Sequence, residues 1–164
     1  MNPILTILHP TDYSDSANHA FRLACSLARD SAARLVILHA TPPPYPLVGE
    51  AIAIPPSAFD IAETNRLLNE SLTAIKPNVD GILVEHRLEE DDPIAAILRV
   101  AEEVDADLIV MGTHGRTGIE RLLMGSIAEQ IVRKAGCSVL TVKSSAGRRA
   151  ERVASKERRM PVAV

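Results

Sequence analysis

Aromatic residues are almost absent from this chain. Its 164 residues include no Trp, two Tyr and two Phe. Proteins that bind single-stranded nucleic acids stack the bases on exposed aromatic rings, so this composition argues against that class. The core has to be packed with Ile, Leu, Val and Ala instead. A single domain of this length buries about two thirds of the surface that its unfolded chain exposes.

Cysteines and long apolar segments are also scarce. Cys25 and Cys137 lie far apart in the sequence and lack the spacing of metal ligands. We expect both to be reduced thiols packed in the fold. No apolar run approaches the length of about 20 residues that a membrane span needs, and the amino terminus does not resemble a signal peptide. These absences predict a soluble, cytoplasmic protein that makes no membrane contact.

Charge is distributed unevenly along the chain. The formal net charge is −3, yet residues 144–164 contain six Lys or Arg and two Glu, so residues 1–143 are the more acidic part. An acidic body argues against nucleic acid as the main partner. We expect residues 144–164 to form a flexible basic tail without a dedicated partner, and residues 1–143 to form the folded domain.

Apolar runs typical of buried strands alternate with segments of helical periodicity. The predicted strands cover residues 4–9, 35–39, 82–87, 108–111 and 139–142. The predicted helices begin at Ser14 or Asp15, at Ser57 with an end near Lys76, at Asp92-Pro93 and at Ser126. This alternation predicts a Rossmann-like α/β domain, with an open five-stranded parallel sheet in the order 3-2-1-4-5 and helices on both faces. Six prolines between residues 42 and 56 predict an irregular break before the second helix.

A glycine-rich segment connects the fourth predicted strand to the last predicted helix. Four of the eight glycines lie within 14 residues, at positions 112, 115, 118 and 125, and Ser126 follows the last of them. Glycine permits a close approach of the backbone to a ligand, and the amides at the start of a helix attract anions. The segment lacks the Lys of a P-loop and is too long for a dinucleotide fingerprint. We interpret it as a nucleotide phosphate site; the alternative is a loop in which glycines serve only for turning.

Open parallel sheets bind ligands beyond the carboxyl ends of their strands. Pro10, Thr11 and Asp12 follow the first strand, Ala40 follows the second, and the glycine segment follows the fourth, so we expect them to converge. Asp12 is the one carboxylate placed to reach a ribose hydroxyl or a metal ion on the phosphates. The alternative is a turn residue whose side chain accepts local backbone N–H groups.

The spacing Gly112-x2-Gly115-x9-Gly125-Ser126 resembles the phosphate loop of the ATP-binding branch of the universal stress protein family. The similarity covers about residues 3–143. It implies binding of ATP with Mg²⁺, a part in stress signalling or protection with little or no ATP turnover, and a homodimer joined through the last strand, residues 139–142. The nucleotide-binding residues expected from the resemblance and from the polar groups of the loop are Pro10, Thr11, Asp12, Ala40, Met111, Gly112, His114, Gly115, Arg116, Gly125, Ser126 and Ile127.

Two other functions stay open at this point. A slow ATPase or an adenylyl-transferring enzyme of related architecture needs a general base, for which His114 is the best candidate. The first predicted βα turn, however, lacks the His-x-Gly-His and Ser-Gly-Gly signatures of such enzymes. A metal sensor would have to use His9, His39, His86 or His114, whose spacing gives no compact ligand set. The pattern therefore favours a binding module over an enzyme.

Overall fold

The computed structural model describes residues 3–42, 58–113 and 125–143. Strands and helices alternate throughout the described part, as the apolar pattern predicts. In chain order they are β1 (Thr6–Pro10), α1 (Asp15–Ser31), β2 (Arg34–Thr41), α2 (Ala58–Thr73), β3 (Val84–Glu90), α3 (Pro93–Glu103), β4 (Leu108–Gly112), α4 (Ser126–Lys134) and β5 (Ser138–Val142). The proline-rich segment, most of the glycine segment and the basic tail lie outside the described residues, and the expectations for them stay predictions.

The strands form one parallel sheet in the order β3-β2-β1-β4-β5, which confirms the predicted fold class and strand order. β1 pairs with both β2 and β4, so the chain builds outward in opposite directions from these central strands. Such a reversal leaves a crevice at the carboxyl edge of the sheet, because the connections after β1 and β4 lead away to opposite faces.

The largest differences from the expected boundaries are found in β3 and α2. β3 covers Val84–Glu90 rather than residues 82–87, because Gly81 turns the chain with a φ of +82° and the strand then pairs with β2 as far as Glu90 opposite Thr41. α2 ends at Thr73 and not near Lys76. Lys76 precedes a proline, whose ring disfavours helical backbone at the residue before it.

Both faces of the sheet are covered by helices. On one face Leu8 and Ile109 pack with residues of α3 and α4, and on the other Ile7 and Val110 pack with α1 and with Leu72 of α2. Neighbouring residues of β1 and β4 thus point into different cores, as the two-residue repeat of a strand requires. Each fully buried Leu or Ile stabilises the fold by roughly 1.5–3 kcal/mol.

The helices begin at the carboxyl edge of the sheet, where α1 and α3 are capped by side chains. Ser14, rather than Asp15, caps α1 and accepts the amide of Ala17 at 3.2 Å. The Asp92 carboxylate caps α3 and accepts the amides of Ile94 and Ala95, both at 3.0 Å. The cap positions of these two helices were therefore readable from the residues that precede them.

Both cysteines are free thiols packed in the fold, as expected from their spacing. Burial raises the pKa of the Cys25 thiol to about 11, so it is un-ionised at neutral pH. Within the described ranges, no helix combines the length and the apolar character needed to cross a bilayer.

Candidate functional site

A cavity of about 520 Å³ opens at the carboxyl edge of the sheet, where β1 and β4 part. Its size lies within the range of roughly 300–1,000 Å³ that is usual for small-molecule sites. It brings together nine of the twelve predicted site residues: Pro10, Thr11, Asp12, Ala40, Met111, Gly112, Gly125, Ser126 and Ile127. The other three, His114, Gly115 and Arg116, lie outside the described residues.

The start of α4 differs from the starts of α1 and α3 because no side chain caps it. Gly125 occupies the N-cap position with extended backbone, φ −69° and ψ 155°. Its own amide donates to the Thr113 carbonyl at 2.7 Å, a bond that joins the two ends of the glycine segment. The next three amides, of Ser126, Ile127 and Ala128, belong to the first helical turn and have no acceptor within the helix. Since these residues line the cavity, it has a wall of backbone donors at the positive end of a helix.

Gly112 has a packing role that the sequence pattern did not indicate. A Cβ atom at this position would lie 2.6 Å from Ser16 Oγ, 2.9 Å from the Ser16 carbonyl carbon and 3.0 Å from the Ala17 nitrogen. These distances are shorter than normal contacts, and two of them involve backbone that cannot rotate away. Gly112 is therefore required for the first turn of α1 to lie against the end of β4, which brings Ala17 to the cavity wall.

The turn between β1 and α1 holds Asp12 at the cavity. The amide of Ser14 donates to Asp12 Oδ1 at 3.0 Å, and the amide of Tyr13 donates to Thr11 Oγ1 at 3.1 Å. Tyr13 adopts the left-handed region with φ +64°, which is strained for a residue with a side chain. Asp12 therefore does serve as a turn residue, and the same carboxylate also lines the cavity. The two readings of Asp12 are compatible.

Two buried histidines brace the strands below the cavity. His9 Nδ1 hydrogen-bonds to the Val110 carbonyl at 2.8 Å and joins β1 to β4. His39 Nδ1 hydrogen-bonds to the Thr11 carbonyl at 2.8 Å, and its ring packs against Tyr13 with centroids 4.5 Å apart. Burial lowers the pKa of His9 to about 4, although the Val110 carbonyl and the Asp12 carboxylate favour its charged form. His9 is therefore neutral at physiological pH.

The remaining histidines of the described part also have local partners. His86 Nε2 hydrogen-bonds to the Ile75 carbonyl at 2.8 Å, and His19 Nδ1 bonds to the Arg22 side chain at 2.6 Å. His9, His39 and His86 thus each hydrogen-bond to a backbone carbonyl. No group of three or more His, Cys, Asp or Glu side chains suited to a metal ion is found among residues 3–42, 58–113 and 125–143.

The apolar walls of the cavity are the part that sequence reasoning missed. They include Leu38 of β2, Leu68 of α2, and Pro93 and Ile97 of α3, while polar His39, Thr41 and Thr113 complete the rim. Leu68 and Ile97 carry only the ordinary signal of apolar residues on an amphipathic helix, which predicts burial but not a ligand. Among its described lining residues, the cavity is therefore a slot with largely aliphatic sides.

The chain is similar to known proteins in sequence and in fold. The model of the universal stress protein family matches residues 4–143. A universal stress protein of Methanocaldococcus jannaschii is 34% identical over 143 residues, which cover 84% of this chain and 81% of that protein. A universal stress protein of Archaeoglobus fulgidus, solved in complex with dAMP, has a TM-score of 0.57 at 26% identity, with 87% of this chain and 100% of that chain covered. A further universal stress protein structure, solved in complex with cAMP, has a TM-score of 0.59 at 29% identity, with 88% of this chain and 100% of that chain covered.

Proposed function

Because this chain belongs to the universal stress protein family, we propose that it binds ATP with Mg²⁺ in the cavity and acts as a nucleotide-dependent module of the stress response. The observation that carries the proposal is the uncapped start of α4 at one end of an aliphatic slot. The two related proteins solved with dAMP and cAMP support an adenine nucleotide as the class of ligand.

The phosphates lie at the α4 end of the cavity. The amides of Ser126, Ile127 and Ala128 supply donors there, and the helix dipole adds about half a positive charge at the same place. None of the described lining residues is Lys or Arg, so the backbone amides, together with the Ser126 hydroxyl, are the anion-binding groups of this part of the wall. His114 and Arg116, from the same loop, are proposed to add side-chain contacts to the phosphates, and Gly115 a further close approach of the backbone.

The base lies at the opposite end, beside Ala40. The Leu38 carbonyl accepts the amide of Thr11, so Leu38 faces β1, whereas the Thr41 carbonyl accepts the amide of Asp91 on the β3 side. Backbone groups of alternate residues in a strand point to the same neighbouring strand, so the N–H and C=O of Ala40, like those of Leu38, point to the side of β1. The last residue of β1, Pro10, lies opposite Leu38, so Ala40 extends beyond the end of β1. The N–H of Ala40 can donate to N1 of adenine, and its C=O can accept from the N6 amine. Guanine presents the opposite pattern on that edge and is disfavoured.

Asp12 lies between the two ends, where the ribose belongs. The amide of Ser14 donates to its Oδ1, a bond that fixes the side chain within the turn at the cavity wall. It is the one Asp or Glu among the described residues that line this cavity. Mg²⁺ is commonly held by one or two carboxylates together with substrate phosphates, so these residues fit a metal ion delivered with ATP. Bound there, the ion would neutralise phosphate charge, and Asp12 is the residue that would hold it.

We propose further that ATP is held with little or no turnover. Asp12 and His39 are the titratable side chains among the described lining residues, and His39 Nδ1 is engaged by the Thr11 carbonyl below the slot. A general base for hydrolysis has to reach a water molecule near the terminal phosphate, at the other end of the cavity. His114, the candidate general base, is proposed to donate a hydrogen bond to the phosphates and not to accept a proton, so we favour retention of intact nucleotide over slow ATPase or adenylyl-transfer activity.

The module is proposed to be a homodimer joined through β5. β5 lies at one edge of the sheet and presents Val139, Leu140 and Val142, with Leu140 36% exposed. The other edge strand, β3, is protected by charged residues that form ion pairs, among them Arg87 with Glu85 at 2.7 Å. An unprotected apolar edge is stabilised by pairing with a second copy, whereas a charged edge resists it.

Calorimetry with ATP, GTP and adenosine, with and without Mg²⁺, tests the proposed function. We expect ATP to bind more tightly than GTP, because of the backbone pair at Ala40, and more tightly than adenosine, because of the α4 amides. A parallel assay for released phosphate and pyrophosphate should show intact ATP after prolonged incubation. A well-folded protein that binds none of the three ligands at millimolar concentration would contradict the proposal, and fast pyrophosphate release would favour the enzyme.

A further inference from the structure

A second cavity adjoins the base end of the first. It has a volume of about 150 Å³ and shares Thr41, Pro42 and Leu68 with the wall of the larger cavity. Its other lining residues come from α2 and from the end of β3: Asp60, Ile61, Thr64, Asn65 and Glu90. The two spaces therefore meet at the carboxyl end of β2, one residue beyond Ala40.

The chemistry of this side pocket differs from that of the larger cavity. Two carboxylates, Asp60 and Glu90, line it, and none of its described lining residues is Lys or Arg. Asn65 Nδ2 donates to Glu90 Oε1, which holds that carboxylate at the pocket, and Glu90 is also the partner of Thr41 in the β2–β3 ladder. Ile61 and Leu68 supply an apolar side. Such a space suits a short aliphatic chain that ends in a cation.

The position of the base decides what can reach this pocket. When N1 and N6 of adenine pair with the backbone of Ala40, N6 lies on the side of the Ala40 carbonyl, toward Thr41 and Pro42. A substituent on N6 then leaves the base at the end next to Thr41 and Pro42, which line both cavities, whereas a substituent on C8 leaves it from the opposite edge. The side pocket, at about 150 Å³, has less than a third of the volume of the larger cavity, at about 520 Å³, so it suits a short substituent and not a second nucleotide.

We infer that the side pocket is a subsite for a cationic substituent on N6 of the bound adenine nucleotide, with Asp60 and Glu90 as its charged groups. The ligand class is an N6-aminoalkyl adenine nucleotide with a short alkyl chain. This inference rests on the proposed function, because it requires the base to lie at Ala40.

The test measures affinity by calorimetry for ATP, N6-(4-aminobutyl)-ATP, N6-butyl-ATP and ATP that carries the aminobutylamino group on C8. We expect the N6-aminobutyl derivative to bind at least as tightly as ATP and about two- to fivefold more tightly than N6-butyl-ATP, as an exposed ion pair allows. The C8 derivative should bind at least tenfold more weakly. An N6-aminobutyl derivative that binds tenfold more weakly than ATP would overturn the subsite, whereas failure of ATP itself would overturn the proposed function.

Variants assign the effect to the two carboxylates. Asp60→Asn and Glu90→Gln keep the shapes of the side chains but remove their charges, and both residues are exposed, so the fold should tolerate the changes. Each should remove the advantage of N6-aminobutyl-ATP over N6-butyl-ATP and leave the affinity for ATP unchanged. The matched control is Glu102→Gln, because Glu102 is an exposed carboxylate near the end of α3 that lines neither cavity. Equal preference for the amine in all three variants would overturn the inference.

Discussion

Replacing Gly112 with Ala should destabilise the protein even when no ligand is present. The added Cβ would meet Ser16 Oγ at 2.6 Å, the Ser16 carbonyl carbon at 2.9 Å and the Ala17 nitrogen at 3.0 Å. Only the first contact can be relieved by a side-chain rotation, so the first turn of α1 has to move away from β4. Overpacking of this kind costs about 1–3 kcal/mol. For a chain of this size, each kcal/mol lowers Tm by about 2–4 °C.

Urea denaturation of the ligand-free protein measures this cost, and Gly136→Ala is the matched control. A Cβ at Gly136 would meet nothing within 4 Å, so that change should be neutral or slightly stabilising. We expect Gly112→Ala to weaken ATP binding as well, because Ala17 and the Asp12 turn move with α1. If Gly112→Ala is as stable as the unmodified protein, the packing argument is refuted. If the Gly112→Ala variant keeps its stability but loses ATP binding, Gly112 acts through contact with the nucleotide and not through packing against α1.

Three further predictions concern the strands and the nucleotide. His9 should lower stability in acid: its folded-state pKa of about 4 lies below the unfolded value of about 6.5, so the unfolded chain binds the extra proton and about 2 kcal/mol is lost between pH 7 and pH 5. Urea denaturation at both pH values should show a smaller loss for His9→Asn; an equal loss would contradict the assignment. Asp12→Asn retains an acceptor for Ser14 but should weaken binding of Mg²⁺-ATP about tenfold by calorimetry, and unchanged affinity would remove Asp12 from the site. Leu140→Lys should convert a dimer to a monomer in analytical ultracentrifugation; a dimer that persists would place the interface elsewhere.

Much of the fold could be predicted from local patterns. The buried central strands appear as continuous apolar runs, and the residues that cap α1 and α3 lie directly before the helices they cap. Strict alternation then leaves a parallel sheet as the arrangement that buries these runs on both faces. The prediction for edge strand β3 was wrong by two residues at its start and three at its end, because its charged sequence, stabilised by ion pairs such as Arg87 with Glu85, hides the strand signal.

The candidate site was predictable where its residues follow strands and not where they come from helix faces. Pro10, Asp12 and Ala40 could be placed because parallel strands bring their carboxyl ends to one edge. Leu68 and Ile97 could not, since an apolar helix position indicates burial without indicating what it is buried against. The packing role of Gly112 depends on how closely α1 crosses β4, which is a property of the assembled fold.

The most direct test of the central claim, that the α4 amides hold the phosphates, is the ATP affinity of Ser126→Pro compared with Ser126→Ala. Proline at the first helical position lacks only the amide in question, and Gly125 already has the extended backbone that a following proline prefers. We expect Ser126→Pro to bind ATP roughly 10- to 100-fold more weakly than Ser126→Ala, with equal affinities for adenosine. Equal affinities of the two variants for ATP would contradict the claim.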